Sequence, residues 1–156
     1  SLLAAVDVHL ADLPPGVIVT WNGAAFDLPF LAARAAGAGV ALGLRLLADS
    51  TIRIRDPQPG LDRGYRAAWH HHRHLDGYRL YRADVGRTLP VSCGLKPMAR
   101  MLGLAPVEVD VAHLHLLPAD EVAAYVASDA RMARLLVGRR WPVAVASVDC
   151  LTPSAD

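Results

Sequence analysis

The stretch Val17-Ile18-Val19-Thr20-Trp21-Asn22-Gly23-Ala24-Ala25-Phe26-Asp27-Leu28-Pro29-Phe30-Leu31 decides the fold class of this chain. Its first five residues are a continuous, largely β-branched apolar run, the signature of a strand buried on both faces in a mostly parallel sheet. Asn22-Gly23 breaks the run. Asp27 then stands at a helix start, where a carboxylate faces unpaired backbone N–H groups, and Pro29 falls in the tolerant first turn. Leu28, Leu31 and Ala35 carry an apolar stripe along that helix to about Ala36. Strand, tight turn and acid at a helix entry make an α/β unit. Binding groups collect at such strand exits, because the loops there vary while the scaffold stays fixed. Taken alone, Asp27 reads as a helix cap.

Upstream, Ser1 is a candidate N-cap for a helix over about 2–12 that Pro14-Pro15-Gly16 ends. Downstream, a short strand is expected near Leu44–Leu47. Residues 49–73, with Pro57, Pro59, Gly60 and Gly64, have the character of an inserted loop. Another strand is expected from His74 to about Tyr81, interrupted by Gly77, then a helix over about 94–102 closed by Gly103. Val107–Val111 alternates with period two but is short enough to be an extended loop. The strongest helical pattern follows Pro118, with Asp120 and Glu121 at its amino end and Arg139 and Arg140 at its carboxyl end. Val122, Val126, Ala133 and Val137 form one stripe of it. Tyr125, Asp129, Met132 and Leu136 form the next. The reading is therefore one domain over 1–140 with a His/Arg-rich insertion near 49–73, and a tail over 141–156 that is too short and mixed to classify.

Bulk properties bound the function. The chain has 156 residues, one domain's worth, and 53% hydrophobic with 20% charged residues argues for a packed core. Sixteen Lys plus Arg against fifteen Asp plus Glu leaves +1, which neither demands nor excludes a polyanion. Arg53, Arg55, Arg63, Arg66, Arg73, Arg79, Arg82 and Arg87 nevertheless share one stretch with His70, His71, His72 and His74, and this is either a phosphate-contacting patch or a solvated loop. Cys93 and Cys150 form neither a metal spacing nor a disulfide framework. No apolar run reaches membrane-spanning length and Ser1–Val6 lacks a signal-peptide pattern, so no membrane association and, by default, cytoplasmic residence are expected. The first residue is not Met, which marks a processing or segmentation boundary.

Tyr125 and Asp129, four residues apart on a helix, project from the same face. A carboxylate among Met132 and Leu136 is costly unless a cation or several hydrogen bonds meet it. The alternative makes Tyr125 an interface aromatic and Asp129 a surface partner of Arg131 or Arg134.

Together these segments resemble the second and third motifs of the four-acid 3′–5′ exonuclease family in its tyrosine branch, closest to the proofreading domains of family B polymerases. The second motif of such domains reads Asn, three residues, Phe, Asp, one residue, Pro, Phe or Tyr, Leu. Asn22, Phe26, Asp27, Pro29, Phe30 and Leu31 stand at those positions, and Tyr125 and Asp129 match the third motif. His74-Leu75-Asp76 resembles the strand before the third motif, and Ser92 through Gly103 the intervening helix. The resemblance spans roughly residues 2–138 and implies a ribonuclease H-like mixed sheet flanked by helices.

It also implies a chemistry. Two Mg²⁺ or Mn²⁺ ions would act as an electrostatic clamp in phosphodiester hydrolysis at a nucleic acid 3′ end. Asp129 and Asp27 are the implied metal ligands, Tyr125 orients the attacking water, and Asn22, Phe26 and Phe30 hold the terminal nucleotides. The implied substrate is mainly a single-stranded 3′ end, more readily DNA than RNA.

The first motif, Asp-x-Glu on the first strand, has no counterpart before Val17. Asp7 is followed by Val8-His9 on a helical pattern, and Glu108-Val109-Asp110 has the wrong order and place. The N-terminal strands that carry it have no counterpart in this reading, so the chain reads as a fragment, half of a site completed by an N-terminal segment or second chain, or a degenerate relative. The rival function is a noncatalytic nucleic-acid-binding or structural module with the same fold. A weaker rival is metal binding by His70, His72 and His74, which a strand would place on one face. Two geometric expectations follow: Val17–Trp21 is an interior strand, and the carboxylates of Asp27 and Asp129 lie within roughly 10 Å, bridgeable by two ions and their waters.

Overall fold

The computed structural model describes residues 1–52 and 64–149. The elements are α1 (Leu2–Asp12), β1 (Val17–Thr20), α2 (Asp27–Gly37), β2 (Leu44–Ala48), β3 (Tyr65–Trp69), β4 (His72–Asp76), α3 (Gly77–Thr88), α4 (Leu95–Met101), a 3-10 turn (Val111–Leu116), α5 (Ala119–Arg139) and α6 (Trp141–Ala144). They build a four-stranded mixed sheet in the order β1-β4-β3-β2. β1 runs parallel to β4 with Thr20 opposite Asp76, while β3 is antiparallel to both β4 and β2.

Each face of the sheet has its own core. On one, Leu75 packs with Leu80 and Tyr81 of α3, Met98 and Ala99 of α4, and Met132, Leu136 and Val137 of α5. On the other, Ala67 and Trp69 meet Leu28 of α2, with Leu10 of α1 and Ile18 closing around them. Alternate residues of β1 serve opposite cores, Val17 and Val19 the first and Ile18 the second, because strand side chains point to the two faces in turn. Among the described residues no helix is long and apolar enough to cross a membrane.

Several expectations hold, and others are corrected. Ser1 caps α1 through its hydroxyl, 3.3 Å from the Ala4 amide. The expected strand beyond Asp76 is a helix instead: the Asp76 carboxylate accepts from the Tyr78 amide and caps α3, a signal that Gly77 and the polar content of the segment disguised. β1 is not interior. Among the described residues it pairs only with β4, and its four residues are each half-buried. Coverage of both faces by helices explains the β-branched composition as well as an interior position does, so composition alone cannot separate the two. In α5 the buried residues are Met132, Ala133, Leu136 and Val137, whereas Val126 is 56% exposed, so only the carboxyl half of the expected stripe meets the core.

The histidines are structural. His70 sits at the β3–β4 turn with φ 49°, and Nε2 atoms of His70, His71 and His72 contact the carbonyls of Asp7, Leu13 and Leu10, fastening α1 to the hairpin. They do not line one face toward a metal, and among the described residues no group of three or more His, Cys, Asp or Glu side chains is placed to hold one. The basic stretch is likewise partly spent: Arg66 pairs with Asp49 and Asp149. Arg53, Arg55 and Arg63 lie outside the described residues, as does the middle of the expected insertion, residues 53–63, while β3 occupies Tyr65–Trp69 within it.

Beyond α5, Ala144 and Val148 join the first core and Asp149 reaches back into the sheet. Its amide donates to the His74 carbonyl at 2.8 Å, and its carboxylate meets His74 Nδ1 at 3.0 Å and the Ala67 amide at 3.2 Å. Thr20 Oγ1 completes the chain at 2.8 Å from His74 Nε2. This buried acid fills the gap where β3 and β4 diverge, which is why it is tolerated at 1% exposure.

Candidate functional site

The Asn22–Phe26 turn at the end of β1 is held from below by Asp76 at the end of β4. One Asp76 oxygen accepts from the Asn22 amide at 2.8 Å and from the Tyr78 amide at 3.0 Å, and the other accepts from the Ala24 amide at 3.1 Å. Asn22 lies at φ 65°, the left-handed region that asparagine tolerates better than most residues, and its carbonyl accepts from the Ala25 and Phe26 amides. Gly23 is dictated by space: a Cβ there would stand 2.5 Å from the Thr20 side chain. Such a fixed, locally costly turn is what a site needs and a plain connection does not.

Asp27 emerges from this turn into the first turn of α2. The helix cap is Phe26, whose ring makes no cap hydrogen bond, and Asp27 is the first helical residue rather than the cap, its carboxylate in the first turn. Crowding around the carboxyl, and then the charge of Asp76, push its pKa above the ordinary value. Phe26 at the cap and Phe30 on α2 flank it, each about half exposed, their rings parallel with centroids 6.3 Å apart. Asn22 is also exposed.

Tyr125 and Asp129 form a second cluster, between α4 and α5. Partial burial, then the neighbouring Asp129 carboxylate, hold the Tyr125 phenol above its usual pKa, so it stays protonated at neutral pH. Asp129 Oδ1 is buried without a hydrogen-bond donor, although Lys96 Nζ lies 3.3 Å away as an ion partner. Lys96 also sits 4.2 Å from the centre of the Tyr125 ring. The two clusters are linked through Trp21, whose indole donates to the Cys93 carbonyl at 3.0 Å, three residues before Lys96. The loop before α4 thus ties the end of β1 to the helix that carries Lys96.

Sequence reasoning missed two participants. Asp76 appeared only as part of a strand and Lys96 only as part of a helix, since a hydrogen bond spanning 52 or 54 residues leaves no local pattern.

The "DNA polymerase family B, exonuclease domain" family profile matches residues 1–98. The chain belongs to that family. The matched span contains Asn22 to Leu31 and ends before Tyr125 and Asp129. The chain is also 36% identical over 104 residues to the catalytic polypeptide of DNA polymerase epsilon from Schizosaccharomyces pombe, a stretch that is 65% of this chain and 4% of that protein. The mixed sheet between two layers of helices is the ribonuclease H-like α/β arrangement of such exonuclease domains.

The carboxylates of Asp27 and Asp129 suit a hard divalent cation in kind, but Asp129 is paired with Lys96 and, among the described residues, no group of three or more ligating side chains is assembled around either. The pKa of Asp27 has a stability consequence. A carboxyl raised above its unfolded value favours folding most when protonated, and that contribution is lost as pH rises through the folded value. Asp27→Asn is therefore expected to leave stability at pH 7 unchanged or slightly higher, within about 0.5 kcal/mol since the side chain is exposed, and to flatten the rise on acidification. Thermal melts from pH 3 to 7 check this; a clear loss of stability at pH 7 contradicts it.

Proposed function

We propose that this exonuclease-family chain supplies the second and third motifs of a metal-dependent 3′–5′ exonuclease acting on single-stranded DNA ends. In this reading it becomes catalytic when a strand bearing an acidic pair, in cis or on another chain, joins the open edge of β1. One observation carries it: the half-buried Asp129 carboxylate on the helix face shared with Tyr125, whose Oδ1 receives no hydrogen bond and is met, among the described residues, only by the Lys96 ammonium at 3.3 Å. A carboxylate so placed calls for a cation, and a divalent ion would take the place that Lys96 holds here. The open edge of β1 supports the rest. It borders a groove of about 1070 Å³ with Val17, Val19 and Leu135 in its walls and Arg131 and Arg134 on the α5 side, suited to a strand with apolar inward residues.

In the completed site Asp129 and Asp27 would hold Mg²⁺ or Mn²⁺, which would supply Lewis-acid stabilisation and lower the pKa of water. The remaining work falls to the protein. Tyr125, protonated, donates a hydrogen bond that orients the attacking water. Asn22 hydrogen-bonds the terminal nucleotide, and Phe26 and Phe30 offer parallel faces on which bases stack.

The test is manganese-dependent shortening of a 5′-labelled single strand by the purified chain, with and without a separately supplied segment carrying Asp-x-Glu. Little or no shortening by the chain alone and a ladder of products with the segment are expected. An equally strong ladder from the chain alone overturns the incomplete-site reading. A segment that binds and stabilises the chain without producing cleavage favours the noncatalytic module.

A further inference from the structure

We propose that the pocket between α3 and the Leu89–Gly94 loop is a phosphate subsite for single-stranded nucleic acid. This deepens the exonuclease reading and rests on it for the identity of the strand. Tyr78, Arg82 and Gly86 recur every four residues on one face of α3 and, with Ser92 and Gly94 opposite, enclose about 550 Å³, room for a nucleotide-sized group.

The charge there is uncommitted. Arg82 is exposed, donates to the Tyr78 hydroxyl at 3.2 Å and stacks 5.9 Å from that ring's centre, and has no carboxylate partner among the described residues. A guanidinium carries five donors, so one neutral bond leaves most of them free. The acid two residues on, Asp84, is held by Arg140, which keeps its pKa down at about 2 and its charge turned to another partner. Ser92 Oγ accepts from the Gly94 amide at 3.2 Å, leaving its hydroxyl hydrogen to donate to an anion. Planar, multidentate donors of this kind suit phosphate oxygens.

The pocket is also wired to the motif-two turn. Its loop wall is fixed to the end of β1 by the Trp21–Cys93 hydrogen bond, and its helix wall begins at Tyr78, whose amide is held by Asp76. The loop approaches α3 closely because residue 86 is glycine: a Cβ there would fall 2.7 Å from Cys93 Sγ. A strand with its end at Asp27 therefore has a cationic pocket tied to the same turn for an internal phosphodiester.

The experiment is a low-salt NMR titration of the chain with a thymidine tetranucleotide and, separately, with inorganic phosphate, following backbone amides and the Arg82 side chain, in the wild type and in Arg82→Gln. With the tetranucleotide, the Gly86, Ser92 and Gly94 amides should shift. Arg82→Gln should weaken binding about threefold to tenfold and lower the salt slope by about 0.7, the loss of one phosphate contact on a single strand. Shifts at both the pocket and the Asn22–Ala24 amides support the subsite and its link to the motif. Shifts at the pocket alone, abolished by Arg82→Gln, support the subsite and defeat the placement of the strand end at motif two. Shifts at the turn alone, or unchanged affinity in Arg82→Gln, overturn the subsite and leave the exonuclease reading standing. A response to inorganic phosphate but not to the tetranucleotide, or to neither, also overturns it. Arg82 is exposed, and an unchanged spectral dispersion of the variant excludes misfolding as the cause of any loss.

Discussion

In the completed domain, Asp129→Ala is expected to lower metal-dependent nucleotide release by about 10³-fold while changing the melting temperature little. The two halves of this expectation come from different features of the same carboxylate. Its Oδ1 receives no hydrogen bond, so what the deletion removes is the ion pair with Lys96 and the interaction with the Tyr125 phenol. The lost ion pair with Lys96 is partly exposed on both sides and is worth at most about 1 kcal/mol. Removing one preorganised electrostatic group from a reaction site, by contrast, costs about 10²–10³ in rate, and losing a metal ligand adds to that. Asp129→Asn keeps the shape, reverses part of the polarity toward Lys96 and should be nearly as inactive. Single-turnover assays beside thermal melts check both. A variant retaining a tenth of the activity, or one that unfolds at the temperature of the assay, removes Asp129 from the site.

Asp76→Ala is expected to show the opposite profile, with a loss of about 3–5 kcal/mol and a fall in melting temperature of about 10 °C or more. The carboxylate is 5% exposed and receives three backbone amides, two from the motif-two turn and one at the start of α3. Bonds to a charged acceptor are worth about 1.5–3 kcal/mol each, and the stranded donors then carry a desolvation penalty. Against a total stability of about 5–15 kcal/mol this is a large fraction. Without its anchor, Asn22 is expected to leave the left-handed region. Asp76→Asn, with one acceptor oxygen in place of two, should fall between. Urea denaturation measures the loss directly, and a change under about 1 kcal/mol means that the turn is held by other means. The same variants test the coupling to Asp27: once the charge of Asp76 is gone, the Asp27 carboxyl should titrate lower, which its side-chain NMR shift reports.

Much of the fold was legible because it rests on local patterns. The β-branched run at Val17, the helical stripe from Leu28, the start and stop signals at Ser1, Pro14 and Gly103, and the acidic entry and basic exit of α5 are properties of neighbouring residues, and the elements stand close to where these place them. The errors arose where a local signal was ambiguous. Gly77 looked like a break in a strand and proved to be the first residue of a helix, packed so tightly that a Cβ would meet the Trp21 ring at 2.7 Å. The histidine run looked like a ligand face, but a turn with positive φ at His70 takes that residue out of the alternation.

The sequence by itself determined the chemistry on offer. Asn22, Phe26 and Asp27 at motif spacing, and Tyr125 four residues before Asp129, are fixed by covalent order, because residues within one turn or one helix keep their spacing whatever surrounds them. Tertiary structure alone decided which of these groups are committed. That Asp76 secures the turn, that Lys96 faces Asp129, that Asp149 is drawn into the sheet beside His74, and that β1 lies at an edge among the described strands all depend on contacts between residues distant in the chain. Their energies depend on burial and on which partner arrives. Only packing sets those, so no window of sequence carries them.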